Sequence, residues 1–363
     1  MEEWKKVRLK DVIKEVKQRN KEEKVKRVLS VTNSRGFVNQ DEYFEGTVHS
    51  ANIANYKIVR KNQFAYNPSR VNVGSIDILK DYEEGALSPM YVVFEVDTTK
   101  LLPDYFKYYF QTNRFYENVK NNTQGSVRNS LSFKALSDFE YLVPPIEKQE
   151  KIVKILKTID SIIEKYEGLL EEKNRLIKSQ FVEMFENRNY EKLSGKELFS
   201  FSSGKFLEAS KRLENGVPVY GGNGVAWYTD EPLIDFNTIV IGRVGAYCGN
   251  VKLIKEPVWI TDNAIFIKQF KKDVYNIDFL YYMMELVDFS RFAQFSGQPK
   301  ITQKPLEEFN YVVPPIEEQI KFSNIVKQID KQKIKLEKLI TNYKTLKKGL
   351  MQKLLTGKVK VNV

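Results

Sequence analysis

Few residues in the chain have the types and spacing that enzyme chemistry requires. Cys248 is the only cysteine and His49 the only histidine among 363 residues. A disulfide framework, a zinc cluster or a Cys-His nucleophile pair therefore cannot form within one chain. Both residues are predicted to be packing residues.

The glycine-rich stretches do not match nucleotide-binding loops. A phosphate-binding loop ends in Gly-Lys-Ser or Gly-Lys-Thr, and its hydroxyl binds magnesium. The stretches with glycine followed by lysine all lack that hydroxyl: Gly195-Lys196-Glu197, Gly204-Lys205-Phe206 and Gly357-Lys358-Val359. The segment 67–70 (Asn-Pro-Ser-Arg) has only the first half of the Asn-Pro-Pro-aromatic motif of amino-methyltransferases, and 222–224 lacks a third glycine. Carboxylates near lysines, as at Asp77 and Lys80, are expected by coincidence when 29% of residues are charged. The sequence favours a protein without a catalytic site.

The net charge of +11 is unevenly distributed. Residues 316–363 hold 12 Lys and Arg against 4 Asp and Glu, whereas residues 186–315 hold 15 against 16. Net charge alone therefore does not indicate that the larger segments bind DNA, and the basic tail fits a solvated helix as well as a phosphate-contacting one.

No apolar run has the length of a membrane span, and the start lacks the apolar stretch of a signal peptide. We expect a cytoplasmic protein.

The chain repeats itself. Residues 143–149 (Val-Pro-Pro-Ile-Glu-Lys-Gln) recur as residues 313–319 (Val-Pro-Pro-Ile-Glu-Glu-Gln), an offset of 170 from 143 to 313. Upstream, Arg70 aligns with Arg243 at a similar offset. These matches predict two halves built on one plan.

A long helix is predicted after each Pro-Pro, because proline is tolerated at a helix start and disfavours helix before it. Apolar residues then recur at alternating spacings of three and four, over about 40 residues or roughly 60 Å in each half. The residues of this seam are Ile152, Ile155, Ile159, Ile162, Tyr166, Leu169, Leu176, Phe322, Ile325, Ile329, Leu336, Leu339, Tyr343, Leu346 and Leu350. We expect the two helices to pair as an antiparallel coiled coil, with Ile159, Leu169, Ile329 and Leu339 buried between them. Parallel pairing between chains is the alternative.

The segments before the long helices mix strands, turns and short helices. Residues 91–96 and 264–267 are predicted strands, and residues 103–115 and 277–289 are predicted amphipathic helices. The sheet topology does not follow from these patterns.

This organisation resembles the specificity subunits of type I restriction-modification systems, over essentially the whole chain. The most specific shared feature is the Pro-Pro-Ile-Glu-x-Gln repeat before each long helix. Residues 64–76, 86–91, 241–249, 259–264 and 346–358 also resemble recurrent phrases of that family. The resemblance implies an α+β fold with a pseudo-twofold internal repeat. Two similar α/β target-recognition domains, 1–145 and 188–315, would be separated by two long antiparallel coiled-coil helices in 146–187 and 316–363.

The resemblance also implies a function. The chain would be the non-catalytic specificity subunit of an adenine methyltransferase and restriction endonuclease complex. Each recognition domain would bind one half of a bipartite site in double-stranded DNA, while the helices set the spacing and dock two modification (methyltransferase) subunits. Domains about 35 Å apart would meet one face of the duplex one helical turn apart. No cofactor is expected on this chain, since S-adenosylmethionine, ATP and Mg would bind partner subunits that include a restriction/translocase subunit. The alternative is a coiled-coil scaffold protein without sequence-specific DNA binding.

DNA contacts are expected from polar and basic residues in loops, because Arg and Lys bind phosphate or guanine while Asn and Gln can read adenine. In the first half they are Asn67, Ser69, Arg70, Asn72, Ser126, Arg128 and Asn129. In the second half they are Gly222, Asn223, Arg243, Tyr247, Ser296, Gln298, Lys300 and Lys304. Alternatively, Arg70 and Arg243 are structural residues that each pair with a carboxylate.

Overall fold

The computed structural model describes residues 4–43, 50, 52–123, 130–186, 188–294, 297–359 and 361. The chain divides into a first unit, residues 1–166 with 339–363, and a second unit, residues 167–338. The ranges predicted for the recognition domains, 1–145 and 188–315, each fall inside one unit. In the part of the chain that the structure describes, no helix combines the length and apolar character that crossing a membrane requires.

The two halves share most of the order of their helices and strands, although α1 and β5 of the first half have no counterpart helix or strand in the second. The strands of the first half are β1 (Lys5–Arg8), β2 (Ile13–Val16), β3 (Val28–Thr32), β4 (Gly36–Asn39), β5 (Lys57–Arg60), β6 (Phe64–Tyr66), β7 (Ile76–Ile78), β8 (Glu84–Leu87), β9 (Val92–Val96) and β10 (Glu140–Val143). Its helices are α1 (Gln40–Tyr43), α2 (Pro103–Tyr109), α3 (Asn113–Thr123) and α4 (Phe133–Ser137), followed by the long helix α5 (Ile146–Phe185).

The second half begins after α5. Its strands are β11 (Glu191–Ser194), β12 (Phe199–Ser203), β13 (Val217–Gly221), β14 (Gly224–Thr229), β15 (Thr238–Gly242), β16 (Val251–Ile254), β17 (Trp259–Ile260), β18 (Ala264–Phe270) and β19 (Asn310–Val313). Its helices are α6 (Gly195–Leu198), α7 (Ile277–Val287) and α8 (Gln303–Glu308), followed by the long helix α9 (Ile316–Leu354).

Two packed sheets form the body of the first unit. One has the strand order β2-β9-β6-β7, and the other has the order β4-β3-β8-β5 with β3 parallel to β8. Because side chains alternate across a strand, Phe64 and Phe94 face one side of the first sheet and Ala65 and Val93 face the other. The two phenyl rings stack at 5.2 Å beneath α2, whereas Ala65 and Val93 belong to the core shared with the second sheet. The sheet is therefore buried on both faces.

The second unit repeats this topology. Its sheets have the orders β12-β18-β15-β16 and β14-β13-β17, and β13 is parallel to β17 as β3 is to β8. An antiparallel bridge between Ile234 and Val258 occupies the place of the β5–β8 pair. A short antiparallel pair precedes each long helix, β1 with β10 and β11 with β19. The α+β fold and the internal repeat predicted from sequence are confirmed.

The long helices begin where the prolines predict. Helix α5 starts at Ile146, directly after Pro145, and α9 starts at Ile316, directly after Pro315. They span 40 and 39 residues, or about 60 Å each. Within the first unit, the Tyr166 and Tyr343 rings lie 5.8 Å apart and Lys347 pairs with Asp160 at 2.6 Å.

In the second unit the Phe181 and Phe322 rings lie 5.9 Å apart. Across these three pairs, residue numbers fall on α9 as they rise on α5, so the predicted antiparallel pairing is confirmed.

The buried stripe differs from the predicted seam at every second position. Among the residues buried on α5 are Ile152, Leu156, Ile159, Ile163 and Ile177, at a spacing that begins with four rather than three. Ile155, Ile162 and Leu169 are only half-buried, and Leu176 is exposed. The stripe is shifted because each end of the helix also packs on a globular core, as Leu156 does in the first unit, so the seam between the helices is not its only buried face.

The same shift occurs on α9. Phe322, Val326, Ile329, Ile340 and Met351 are buried, and the predicted seam residues Ile325, Leu336, Tyr343 and Leu350 are half-buried. Leu339 and Leu346 are exposed at 37% and 50%. The prediction that Leu339 is buried is therefore wrong, because the neighbouring Ile340 takes the inward position.

The predicted helix 103–115 is two helices, α2 and α3, separated at residues 110–112. The hydroxyl of Thr112 accepts from the backbone N–H of Phe115 at 3.2 Å and donates to the carbonyl of Tyr109 at 2.7 Å. Threonine favours such local bonds at helix ends, and they turn the chain here. The predicted helix 277–289 is confirmed as α7, and residues 91–96 and 264–267 lie largely in β9 and β18.

Candidate nucleic-acid interface

The glutamine of each Pro-Pro repeat holds a long helix against its globular domain. Gln149 is fully buried, and its amide makes three hydrogen bonds to backbone groups. Its oxygen accepts from the N–H of Leu102 at 2.8 Å, and its nitrogen donates to the carbonyls of Lys100 and Pro144 at 2.8 and 2.9 Å. The loop before α2 is thereby joined to the start of α5.

Gln319 makes the equivalent set of bonds in the second unit. Its oxygen accepts from the N–H of Asn276 at 2.9 Å, and its nitrogen donates to the carbonyls of Val274 and Pro314 at 2.9 and 2.8 Å. The Pro-Pro motif predicted the start of a helix, but this role of its glutamine was not predicted. Recurrence of a glutamine four residues after the second proline was its signal.

Ion pairs also connect the globular part of each unit to its long helix. The Asp278 carboxylate accepts from Lys255 at 2.7 Å and from Lys327 at 2.6 Å, and Asp104 is likewise paired with Lys80 and Lys157. Burial opposes ionisation of Asp278, but the hydrogen bonds from its two lysines outweigh it and lower the carboxyl pKa. In both units the first helix after the central sheet is thus fixed to a long helix.

In the first unit the predicted DNA-contacting loop follows β6. The Asn67 side chain accepts from the Ser69 N–H at 3.0 Å, and the Asn67 carbonyl accepts from the Arg70 N–H at 3.0 Å. A 3₁₀ turn at residues 71–73 follows. Ser69, Arg70 and Asn72 are exposed, and Asn67 is half-buried. This tight turn presents polar side chains to solvent at the end of a buried strand.

A second segment lies beside this loop. The Leu131 N–H donates to the Pro68 carbonyl at 3.0 Å, and the Tyr66 hydroxyl donates to the Leu131 carbonyl at 3.1 Å. The predicted contact residues Ser126, Arg128 and Asn129 lie outside the described residues.

In the second unit several glycine-rich loops meet. A Cβ atom on Gly242 would lie 2.2 Å from the carbonyl oxygen of Tyr247 and 2.9 Å from that of Gly222, so no larger residue fits there. The turn at 221–224 therefore packs directly on the loop that follows β15. Gly222 is half-buried, and Asn223 at the tip of the turn is exposed.

The segment 297–301 adds to this cluster. The Gly245 N–H donates to the Pro299 carbonyl and the Ile301 N–H donates to the Arg243 carbonyl, both at 2.9 Å. Gln298 and Lys300 are exposed along this segment, and Tyr247 is 46% exposed. The structure thus brings together the predicted residues Gly222, Arg243, Tyr247, Gln298 and Lys300, with Asn223 on the adjoining turn. Lys304 lies on α8, where its ammonium is 3.7 Å from the carboxylate of Glu308. Ser296 lies outside the described residues.

Within the described part of the chain, neither of the two aligned arginines pairs with a carboxylate. The Arg243 guanidinium donates to the backbone carbonyl of Asp262 at 3.2 Å. Among the described residues, the Arg70 guanidinium has neither a hydrogen bond nor an ion pair. Arg70 follows β6 and Arg243 follows β15, which occupy the same place in the two equivalent sheets. Both are therefore available to an anionic ligand at corresponding positions.

Comparison with known proteins supports one family. The family model described as "Type I restriction modification DNA specificity domain" matches residues 1–173 and 187–345. The putative type I restriction enzyme MjaX specificity subunit of Methanocaldococcus jannaschii is 24% identical over 412 residues, covering 99% of this chain and 94% of that protein. The type I restriction enzyme EcoprrI specificity subunit of Escherichia coli is 30% identical over 139 residues, 37% of this chain and 34% of that protein.

Solved structures show the same fold. The S subunit of a type I restriction-modification system from M. genitalium has a TM-score of 0.60 at 18% identity, covering 99% of this chain and 97% of that one. A chain from a study of complex assembly and conformational transition of the type I R-M system has a TM-score of 0.55 at 14% identity, covering 98% of each chain. The likeness therefore extends over the whole arrangement of helices and strands.

Proposed function

The chain belongs to the family of type I restriction modification DNA specificity domains and is a specificity subunit rather than a catalytic one, and we propose that each of its units binds one half of a bipartite DNA site. The observation that supports this most directly is an arginine in the same loop of each unit. We call these the arginine loops: the loop after β6, which carries Arg70, and the loop after β15, which carries Arg243. Arg70 and Arg243 occupy equivalent strand ends, and neither guanidinium is neutralised by a carboxylate among the described residues. Arginine in this state can bind phosphate, or guanine through its two parallel N–H donors.

The residues around the arginines have the chemistry of base readout. Asn67 and Asn72 accompany Arg70, while Asn223 and Gln298 accompany Arg243. Amide side chains can donate to and accept from one adenine edge at the same time, which discriminates it from the other bases. The two sets of loops differ in sequence, although the strands that carry them have the same arrangement in both units. Each unit therefore recognises its own half-site.

The long helices provide surfaces for protein partners. Val182 and Ile334 are 63% and 64% exposed, and Leu346 is 50% exposed. Protein contact surfaces contain accessible apolar side chains in a polar surround, although single ones also occur on ordinary surfaces. We assign these surfaces to two modification subunits and propose that the helices set the spacing between the half-sites. A restriction/translocase subunit completes the complex, which acts in the cytoplasm.

The chemistry of the complex belongs to its partners. This chain binds no cofactor in the proposed mechanism, and S-adenosylmethionine, ATP and Mg bind the modification and restriction subunits. The residues of this chain select the DNA and hold it, and the partners transfer the methyl group to adenine.

Co-purification with modification subunits tests the proposal. The complex is expected to retain duplex DNA with an affinity that falls as salt rises, because phosphate contacts release counterions. Sequencing of DNA from a host that expresses the complex should show methylated adenines in one bipartite motif. The purified chain alone should show no nuclease, ATPase or methyltransferase activity. Failure to form the complex, together with absent or salt-insensitive DNA binding, would instead favour a scaffold protein.

A further inference from the structure

The hairpin turn between β3 and β4 lies beside the arginine loop of the first unit, although no sequence motif marked it. This turn comprises Asn33, Ser34 and Arg35, and all three side chains are exposed. We propose that it is a base-reading element, in which Arg35 recognises a guanine of the first half-site. The inference rests on the proposed function and adds a specificity-determining residue to it.

Topological equivalence with the second unit identifies the turn. Strands β3 and β4 pair antiparallel, as β13 and β14 do, and the first strand of each hairpin also pairs with a parallel neighbour. In both hairpins the second strand begins with a glycine in the left-handed region, Gly36 at φ +63 and Gly224 at φ +109. The turn at 33–35 is therefore the counterpart of the turn that contains Gly222 and Asn223.

Both turns also pack on the arginine loop of their own unit. A Cβ atom on Gly74, which ends the 3₁₀ turn after Arg70, would lie 3.7 Å from both the Cβ and the carbonyl oxygen of Asn33. The Ser75 hydroxyl donates to the Val31 carbonyl at 2.6 Å, which ties the end of β3 to the same loop. In the second unit, a Cβ atom on Gly222 would lie 3.6 Å from the Cα of Gly242. A duplex that contacts the arginine loop would thus meet the turn as well.

The turn is held in shape before any ligand binds. The Thr32 hydroxyl accepts from the Arg35 N–H at 3.0 Å and donates to the Gly36 carbonyl at 3.2 Å. The Arg35 guanidinium lies over the Tyr43 ring at 5.5 Å and makes no ion pair within the described residues. A preorganised arginine loses less conformational freedom on binding, so its two parallel N–H donors remain available for the O6 and N7 atoms of a guanine.

The two units use the turn differently. In the second unit the corresponding residues are glycines around the single side chain of Asn223, whereas in the first unit Asn33, Ser34 and Arg35 all present side chains. A guanidinium at this position exists only in the first unit. The guanine preference that it produces should therefore be confined to one half-site.

Three variants of the full chain, each assembled with its modification subunits, test the inference. Arg35→Ala removes the guanidinium, and Arg35→Lys keeps its charge but not its two parallel donors. Arg60→Ala is the matched control, because Arg60 lies on β5 at the opposite edge of the same sheet. The readouts are the methylated motif, the affinity for duplexes with single base-pair changes, and the melting temperature.

Arg35→Ala should reduce the preference for one base pair of one half-site by roughly 5- to 150-fold and leave the other half-site unchanged. Arg35→Lys should lose the same preference while largely retaining overall affinity and its salt dependence, and Arg60→Ala should keep the wild-type motif.

An unchanged motif in both Arg35 variants, or equal weakening on all sequences, would overturn the inference. If Arg35→Ala fails to fold, the lysine variant alone decides. A wild-type complex that neither binds nor methylates DNA would instead reject the proposed function, so the two failures are distinguishable.

Discussion

Replacing Gln319 by leucine is expected to lower the free energy of unfolding of the second unit by about 2 to 4 kcal/mol. The side chain is fully buried and makes three hydrogen bonds to backbone groups, at 2.8 to 2.9 Å. Each such bond contributes about 1 kcal/mol net, and leaving the partly buried backbone N–H of Asn276 without a partner adds a desolvation cost. Leucine has a similar size and recovers about 1 kcal/mol through apolar burial.

Denaturant unfolding followed by tryptophan fluorescence measures this loss. Two of the three tryptophans, Trp227 and Trp259, lie in the second unit and report on it. The midpoint should fall, and the melting temperature should drop by about 2 to 4 °C for each kcal/mol lost. Gln328→Leu is the control, because Gln328 is exposed on the same helix and the same unit. If the free energy of unfolding of Gln319→Leu lies within about 0.5 kcal/mol of the wild-type value, the glutamine does not stabilise the contact between α9 and the globular part of the unit, and the reasoning is refuted.

Three further predictions concern the long helices, the two aligned arginines and unfolding in acid. Ile159→Asp should destabilise the first unit by several kcal/mol, because it buries an unpaired charge, whereas Leu339→Asp at an exposed position should change the unfolding free energy little; equal losses would contradict the observed stripe. Arg70→Ala and Arg243→Ala should each relax or weaken recognition of their own half-site, as measured by methylation mapping. A lower melting temperature with an unchanged methylated motif would show instead that the two arginines stabilise the fold. The lowered pKa of Asp278 means that its ion pairs stabilise the second unit above about pH 4 and that this stability is lost as pH falls through the folded-state pKa. The acid unfolding curve of Asp278→Asn should therefore lack that component, and an unchanged curve would refute it.

Local patterns were sufficient for the parts of the fold that depend on neighbouring residues. Proline restricts the backbone before it and starts a helix, so the starts of α5 and α9 followed from Pro145 and Pro315. The recurrence of residues 143–149 predicted two similar halves, and the shared glycine and arginine loops predicted most of the candidate site in the second unit. Which residues of each long helix are buried did not follow from the apolar spacing, because the spacing within one helix does not show what else packs on it. Leu156 and Ile340 are buried although neither belongs to the predicted seam.

By itself the sequence determined the repeat, the two long helices and the family, since these are properties of residue order along the chain. Only the tertiary structure decided which residues meet. Gln149 bonds to a loop 47 residues away, and the turn at Asn33 packs beside Gly74. Both contacts join segments that are distant in sequence and similar to many other polar stretches. Strand pairing brings these segments together, and since each pairing depends on the burial of whole sheet faces, local spacing cannot reveal it.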